Sequence, residues 1–152
     1  MSENVKIVQG HIEHLDKLVE LYGSYRMFYG RERDEEKERT FLKQRIENNE
    51  SVIFLAVDDD GLAMGFIQLY PLFSSVAMRR TWLLNDLYVA EEYRKRGIAT
   101  ALLDRAVDFS KSTGALYVSL ETGMENVNAQ KLYEKHGWEQ DTEHFVYFHM
   151  CE

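Results

Sequence analysis

A strand, a basic turn and a helix follow one another directly between residues 83 and 111, and they constrain the fold more than any other part of the sequence. Residues 83–89 are mostly apolar and aromatic, which is typical of a strand. Residues 94–97 form a charged turn ending in glycine, and residues 98–111 repeat apolar side chains at helical spacing. The helix therefore starts at the turn, where its unpaired N–H groups and positive dipole favour phosphate binding.

The charge of this turn is opposite to that of the whole chain. Arg94, Lys95 and Arg96 bring three cations together, whereas the 152 residues carry a net charge of −8. Gly97 and Ala99 have almost no side chain, so a pyrophosphate group can approach the backbone closely. A solvated basic loop would show the same charges. The sequence contains neither the dinucleotide fingerprint Gly-x-Gly-x-x-Gly nor the Gly-Lys-Ser/Thr of a P-loop, which argues against both of those sites.

The rest of the chain predicts alternating strands and helices in the order β-α-α-β-β-β-α-β-α-β. The strands are expected at residues 5–9, 51–57, 63–70, 81–89, 115–122 and 145–150, and the helices at residues 12–23, 34–49, 98–111 and 126–135. Residues 25–29 are predicted to form a loop, and Pro71 is predicted to end the third strand. No repeat or linker-like segment interrupts the chain, so we expect one mixed α/β (α+β) domain over residues 1–152.

Composition and charge argue against several classes of protein. The acidic net charge argues against broad nucleic-acid binding and favours cationic partners, although it equally suits a merely solubilising surface. The longest apolar run, Val52–Val57, is too short to span a bilayer, so no membrane partner is expected. Cys151 is the single cysteine, and the first residues lack a signal-peptide pattern. We therefore expect a cytoplasmic protein.

Two motifs in the second half of the chain resemble those of one enzyme family. They read Arg94-x-x-Gly97-x-Ala99 and Asn126-x-x-Ala129-x-x-x-Tyr133-x-x-x-Gly137-Trp138. In this order and on these elements, they resemble the acetyl-CoA motifs of the GNAT N-acetyltransferases. The likeness is close over residues 81–138. It implies a central, mostly antiparallel, splayed mixed sheet flanked by helices on both faces.

Within that family the chain looks most like the diamine acetyltransferases and the fungal histone, polyamine and D-amino-acid acetyltransferases. Residues 84–89 and 70–75 carry this finer likeness. Two positions depart from the pattern. Ala99 stands where many relatives have glycine, and Asn85 stands where diamine acetyltransferases carry a catalytic glutamate. Because of Asn85, the catalytic base of the diamine acetyltransferases cannot be assigned directly to this chain.

The resemblance implies a binding site for acetyl-CoA as co-substrate. The pantetheine arm would lie along the strand residues Leu87, Tyr88 and Val89. The pyrophosphate would be cradled by Arg94, Lys95, Arg96, Gly97, Ile98, Ala99 and Thr100. Asn126 would fix the opposite wall, and Tyr133 would lie near the thioester sulfur as a proton donor, although its spacing also suits core packing. The histidines lack the spacing of zinc ligands, so no metal is expected.

Acetylation of an amine also needs a base, because an amine with a pKa near 10.4 is neutral in only roughly one molecule in a few thousand at pH 7. Asp86 and Glu121 are the acidic residues nearest the implied position of the sulfur. Asp86 would act as base, bind the substrate cation, or form a structural hydrogen bond. Tyr25 and Tyr70 are candidates for the wall of the acceptor pocket, with core packing as the alternative.

Three functions are compatible with these features. The first is an N-acetyltransferase for a small amine, such as a polyamine or an amino acid, that works by direct transfer in a ternary complex. The second is an acetyltransferase for protein lysines or N-termini. The third is an acyl-CoA-binding sensor without catalysis, against which the presence of Asn126 and Tyr133 argues. The family resemblance also implies a homodimer, with residues 145–148 at its interface.

Overall fold

The computed structural model describes residues 5–152, which form two compact units, one extending to Leu120 and one from Glu121 to Glu152. The strands of the first unit are β1 (Lys6–Gln9), β2 (Val52–Val57), β3 (Ala63–Ser74), β4 (Arg79–Val89) and β5 (Val118–Ser119). Its helices are α1 (Leu15–Phe28), α2 (Glu35–Glu47) and α3 (Ile98–Ser112), with 3₁₀ turns at Ile12–His14 and Glu91–Tyr93. The second unit contains α4 (Val127–Lys135).

The five strands form one open sheet in the order β1-β2-β3-β4-β5. The first four strands are antiparallel to their neighbours, and β5 is parallel to β4. Within residues 5–152, the pairing of β4 with β5 consists of Trp82 with Val118 and Leu83 with Ser119, whereas β4 continues to Val89. This mixed, mostly antiparallel sheet confirms the predicted fold class.

Helices cover both faces of this sheet. The core on the side of α1 consists of the buried side chains of Leu15, Leu18, Val19, Leu21, Leu42, Ile53, Leu55, Val57 and Phe66. On the other face, α3 buries Leu102, Leu103 and Ala106, as its apolar spacing predicts. Phe109 of α3 packs its ring 5.4 Å from the ring of Phe54. Of the helices within residues 5–152, none combines the length and the apolar character that crossing a bilayer demands.

A β-bulge interrupts the pairing of β3 with β4. Leu69 pairs with Leu84, but the preceding residue of β3, Gln68, pairs with Asp86. Asn85 is therefore an extra residue of β4 without a partner in this register. Such bulges bend a strand and redirect its side chains, and they are frequent beside active sites.

The bulge moves Asp86 to the face of the sheet that α1 covers. In a regular strand Trp82 and Tyr88 would lie on the same face, because their numbers differ by an even count. Instead, the ring of Trp82 lies 5.3 Å from Phe109 of α3, whereas the ring of Tyr88 lies 5.9 Å from Tyr25 of α1. Asp86, which follows the bulge, shares the face of Tyr88.

Helix α1 continues through most of the segment 25–29 that the sequence predicted as a loop, so that prediction was wrong. Tyr25 packs its ring 5.7 Å from Phe66 and 5.9 Å from Tyr88. This tertiary packing outweighs the modest helix propensity of aromatic residues. The helix ends at Phe28, and Tyr29 follows as its C-cap.

The prediction that Pro71 ends the third strand was also wrong, because β3 passes through Pro71 to Ser74. The ladder between β2 and β3 ends at Leu69, so Pro71 pairs with β4 alone, opposite Trp82. A proline is tolerated where a strand has a neighbour on one side only, since its missing N–H then need not break a ladder.

Two of the predicted strands do not match the structure: one is shorter than predicted, and the other is not formed. The strand expected at residues 115–122 is reduced to β5, and residues 145–150 contain no assigned strand. Both segments have β-forming side chains, but a strand also needs a neighbour whose N–H and C=O groups complete the ladder. In the final segment the side chains of Phe145 and Tyr147 are 87% and 88% exposed.

Candidate active site

The basic turn joins β4 to α3 through two residues with left-handed backbone. Lys95 has a φ of 65°, and Gly97, the N-cap of α3, has a φ of 78°. The first backbone hydrogen bond of the helix runs from Ala101 N to Gly97 O at 3.1 Å. Turns of this kind direct successive N–H groups toward one side, and the residues from Arg94 to Gly97 are exposed. The geometry thus suits an anion at the start of α3.

Arg94 ties this turn to the end of β4. Its Nε donates a 2.9 Å hydrogen bond to the carbonyl oxygen of Val89. Its guanidinium lies 5.5 Å from the ring centres of both Phe28 and Tyr88, at the distance of a cation–π contact. Arg94, which the sequence singled out as a phosphate-binding cation, therefore also fixes the position of the turn relative to β4.

The last residues of β4 present backbone groups along an edge that leads to the turn. Ala90 N–H donates to Met64 O of β3 at 2.9 Å. Backbone groups alternate between the two sides of an antiparallel strand, so Val89 and Leu87 direct theirs to the opposite edge. The bond from Arg94 to Val89 O agrees with this orientation. An extended ligand lying along this edge would reach the start of α3.

Asp86 is a buried carboxylate held by several hydrogen bonds. Gln68 Nε2 donates to its Oδ2 at 2.7 Å, and Asn85 Nδ2 donates to its Oδ1 at 3.1 Å. Tyr25 also hydrogen-bonds to it. Burial raises the pKa of Asp86 above its ordinary value, although the hydrogen bonds from Gln68, Tyr25 and Asn85 act in the opposite direction. The carboxylate is therefore a stronger proton acceptor than an exposed aspartate.

Tyrosines surround this carboxylate. Burial raises the pKa values of Tyr25 and Tyr70, and the negative charge of Asp86 raises them further. Tyr22 is affected in the same way. The structure thus brings Asp86, Tyr25 and Tyr70, three of the predicted acceptor-site residues, into one cluster, while Asn85 serves as a donor to Asp86.

Sequence reasoning missed Gln68, which completes the cluster. Its side chain is fully buried, and within residues 5–152 its Oε1 has no hydrogen-bond partner. An unsatisfied buried acceptor is costly unless something donates to it. One signal was available: Gln68 is a polar residue in the otherwise apolar strand 63–70. An amine nitrogen is a suitable donor for this oxygen.

The second unit holds the other predicted site residues. Asn126 is the N-cap of α4, and its Oδ1 accepts from Ala129 N at 3.3 Å. Tyr133 lies on α4, half-buried, with its ring 6.0 Å from that of Trp138. Glu121, the first residue of this unit, is exposed.

The described part of the chain, residues 5–152, contains no group of three or more His, Cys, Asp or Glu side chains arranged to hold a metal ion. The groups that the structure offers to a ligand are instead the backbone of the turn, the edge of β4 and the polar cluster around Asp86.

Comparison with known proteins identifies the family to which these elements belong. Residues 16–138 match the acetyltransferase (GNAT) family. The chain is a GNAT acetyltransferase. It is 43% identical over 131 residues to the uncharacterized N-acetyltransferase YhfO of Bacillus subtilis, covering 86% of this chain and 85% of that protein. It is 35% identical over 105 residues to a probable acetyltransferase of Haemophilus influenzae, covering 69% and 72%.

Solved structures of GNAT acetyltransferases share the fold. The crystal structure of a probable acetyltransferase, 42% identical, superimposes with a TM-score of 0.93 and covers 97% of this chain and 98% of that one. A predicted acetyltransferase from Clostridium acetobutylicum with acetyl-CoA has the same fold, with a TM-score of 0.77 at 18% identity and 96% coverage of both chains. The protein is thus an acetyl-CoA-dependent N-acetyltransferase of the GNAT type.

Proposed function

We propose that this enzyme acetylates the primary amine of a small molecule by direct transfer within a ternary complex, and that Asp86 receives the proton of the amine. The observation that carries the proposal is the pairing of two buried acceptors, the carboxylate of Asp86 and the unpartnered Oε1 of Gln68. A protonated amine has three N–H donors for such a site. The tyrosines around it supply apolar walls.

The proposed reaction has four proton transfers. Asp86 takes a proton from the substrate ammonium, and the freed nitrogen lone pair attacks the thioester carbon. The C–S bond then breaks, the acetyl group stays on the nitrogen, and the CoA thiolate takes a proton from the Tyr133 hydroxyl. The second amine proton leaves to water as the C–S bond breaks, and after product release the proton on Asp86 passes to Tyr133 through solvent. The transfer to Asp86 and the transfer from Tyr133 would each contribute a factor of roughly 10²–10⁴ to the rate.

The cofactor is proposed to follow the edge of β4 to the basic turn. The backbone groups of Leu87 and Val89 would pair with pantetheine, which would pass alongside Tyr88, and the orientation of the β4 edge supports this placement. The residues from Lys95 to Thr100 would hold the pyrophosphate, and the left-handed conformation of Gly97 supports this placement. Asn126 is proposed to contact the pantetheine through its amide NH₂, since its Oδ1 caps α4.

Several finer features complete the proposal. The likeness of residues 84–89 and 70–75 supports placing this enzyme in one subgroup with the diamine acetyltransferases and the fungal histone, polyamine and D-amino-acid acetyltransferases. The exposed aromatic segment from Phe145 to Phe148 supports a homodimer. A single cytoplasmic GNAT domain over residues 1–152 is proposed on the order of elements and the single Cys151. Light scattering of the purified protein tests the dimer.

The first experiment measures thiol release from acetyl-CoA with polyamines, amino acids, lysine peptides and aminoglycosides. Release with one small-amine class supports the proposal and names the acceptor. Release with peptides alone would instead indicate a protein acetyltransferase. Calorimetric binding of acetyl-CoA without release from any amine would indicate a sensor.

A further inference from the structure

A cleft of about 550 Å³ lies at the connection between α1 and α2. It is lined by Tyr22, Arg26, Gly30, Arg31, Glu32, Arg33, Asp34, Lys37, Glu38 and Phe41. Among these described lining residues, four are cationic and three are acidic, so the lining is net positive in a chain of charge −8. This local reversal of sign is unrelated to the basic turn before α3.

Tyr22 connects this cleft to the cluster around Asp86. Its side chain lines the cleft and stacks on Phe41, with ring centres 6.0 Å apart. Burial raises the pKa of Tyr22, and so do the charges of Asp86 and Glu38, while Arg26 opposes them. The charges of both carboxylates therefore act on the phenol group of Tyr22. Tyr22 lies one turn before Tyr25 on α1, and Tyr25 hydrogen-bonds to Asp86, so one face of this helix contacts both the cleft and the cluster.

Glu38 organises the cations of the cleft. Its buried carboxylate accepts from Arg26 Nη1 at 2.8 Å and from Arg33 Nε at 2.9 Å. One carboxylate thus serves two guanidinium groups, whose side chains remain 28% and 29% exposed. Arg31 adds an exposed guanidinium at the same cleft. Guanidinium groups bind carboxylates and phosphates through paired hydrogen bonds, and these three are held on or beside one short connection.

We propose that the acceptor amine carries a second, anionic group, and that the cleft between α1 and α2 binds this group while Asp86 holds the amine. This inference rests on the proposed function, because it assumes that the amine reacts at Asp86. It favours acceptors of the amino-acid type over polyamines, because a second ammonium would meet the positive lining of the cleft. The anion is a carboxylate or a phosphate ester, since a guanidinium recognises both.

The test compares acceptors that differ only in this charge. kcat/KM is measured for ω-amino acids of increasing chain length, for their primary amides, for diamines of matching length and for phosphoethanolamine. We expect the best amino acid to exceed its amide by roughly tenfold or more, the gain of one charge-assisted hydrogen bond. Stronger turnover of phosphoethanolamine would identify the anion as a phosphate. Amides or diamines that equal or exceed the acids would overturn the inference while leaving the acetyltransferase proposal intact, whereas no turnover of any amine would refute the proposed function itself.

A charge variant locates the effect in the cleft. Arg31→Gln should lower the ratio of kcat/KM for the acid to that for its amide by roughly tenfold. Lys43→Gln removes the same charge from an exposed position of α2 outside the cleft, and should leave this ratio at the wild-type value. Equal ratios in both variants and the wild type would exclude a role for Arg31. A thermal melt of each variant separates loss of recognition from loss of folding.

Discussion

Gln68 Nε2 donates a 2.7 Å hydrogen bond to Asp86 Oδ2 across the β3–β4 ladder, one residue past the bulge at Asn85. The bond orients both side chains into the face that α1 covers. It uses the donor end of the Gln68 amide and leaves the acceptor end buried without a partner among residues 5–152. The pair therefore places a buried amide oxygen without a partner beside a carboxylate whose pKa is raised by burial.

The raised pKa of Asp86 predicts that Asp86→Asn stabilises the fold at neutral pH. Between the ordinary and the raised pKa, the folded state binds a proton that the unfolded state releases, so the free energy of unfolding falls as pH rises through this interval. Above the raised pKa, the wild type keeps a buried negative charge that the asparagine variant lacks. Urea unfolding should show a more stable variant at neutral pH and a shrinking difference toward acid. Asp104→Asn, at an exposed position of α3, is the control. A variant less stable than wild type at neutral pH would contradict this prediction and would mean that the hydrogen bonds from Gln68, Tyr25 and Asn85 outweigh the cost of the buried charge.

Gly97→Ala is expected to weaken CoA binding and also to lower stability. Gly97 has a φ of 78°, and an L-residue in this conformation costs roughly 1–2 kcal/mol. Gly114, after the other end of α3, has a φ of 74° and equally open surroundings, so Gly114→Ala should cost a similar amount of stability. Only the first variant should raise the calorimetric Kd for CoA. Equal Kd values for CoA in the two variants would show that Gly97 takes no part in binding the phosphate groups.

Tyr133→Phe tests the proposed proton donor to the thiolate. The variant keeps the aromatic ring that lies beside Trp138 and loses only the hydroxyl group. We expect kcat to fall roughly 10²-fold or more while the Kd for CoA stays near the wild-type value. Tyr117→Phe makes the same change at an exposed position outside the proposed dimer segment and should leave kcat unchanged. An unchanged kcat for Tyr133→Phe would exclude the acid role.

Glu38→Gln is expected to destabilise the connection between α1 and α2. Burial alone would raise the pKa of Glu38, but hydrogen bonds from Arg26, the Asp34 backbone and Arg33 lower it overall. The resulting stability is present above the ordinary pKa and is lost as pH falls through the lowered one. At neutral pH we expect a loss of about 2–3 kcal/mol in urea unfolding, below the roughly 3–5 kcal/mol for fully buried pairs, because both arginines are partly solvated.

The control for this loss is Glu47→Gln, at the exposed end of the same helix. It should change the free energy of unfolding by less than about 0.5 kcal/mol. Similar losses in the two variants would mean that Glu38 is not the anchor of this connection.

The parts of the fold that sequence patterns predicted are those fixed by local signals. Helix α3 begins after Gly97 and buries Leu102, Leu103 and Ala106, since a glycine turn and a helical apolar spacing lie close together in the chain. Strands β2 and β3 were predicted for the same reason, because each is a short apolar run and the acidic and glycine residues 58–61 lie between them.

The parts that could not be predicted depend on contacts distant in sequence. The bulge at Asn85 exists only relative to the register of β3, so the alternation of β4 gave no sign that Asp86 changes face. Gln68 is separated from Asp86 by a whole hairpin, and its role follows from that pairing. The extension of α1 likewise depends on the packing of Tyr25 against Phe66 and Tyr88.

The proposed role of Asp86 is to take the proton of a small amine during acetyl transfer. It is tested most directly by the initial rate of thiol release from saturating acetyl-CoA, with the best small amine, for the wild type and Asp86→Asn. We predict a wild-type rate that depends on the amine and a variant that is slower by about 10²–10⁴-fold with unchanged CoA affinity. Equal rates from two folded proteins would contradict the claim.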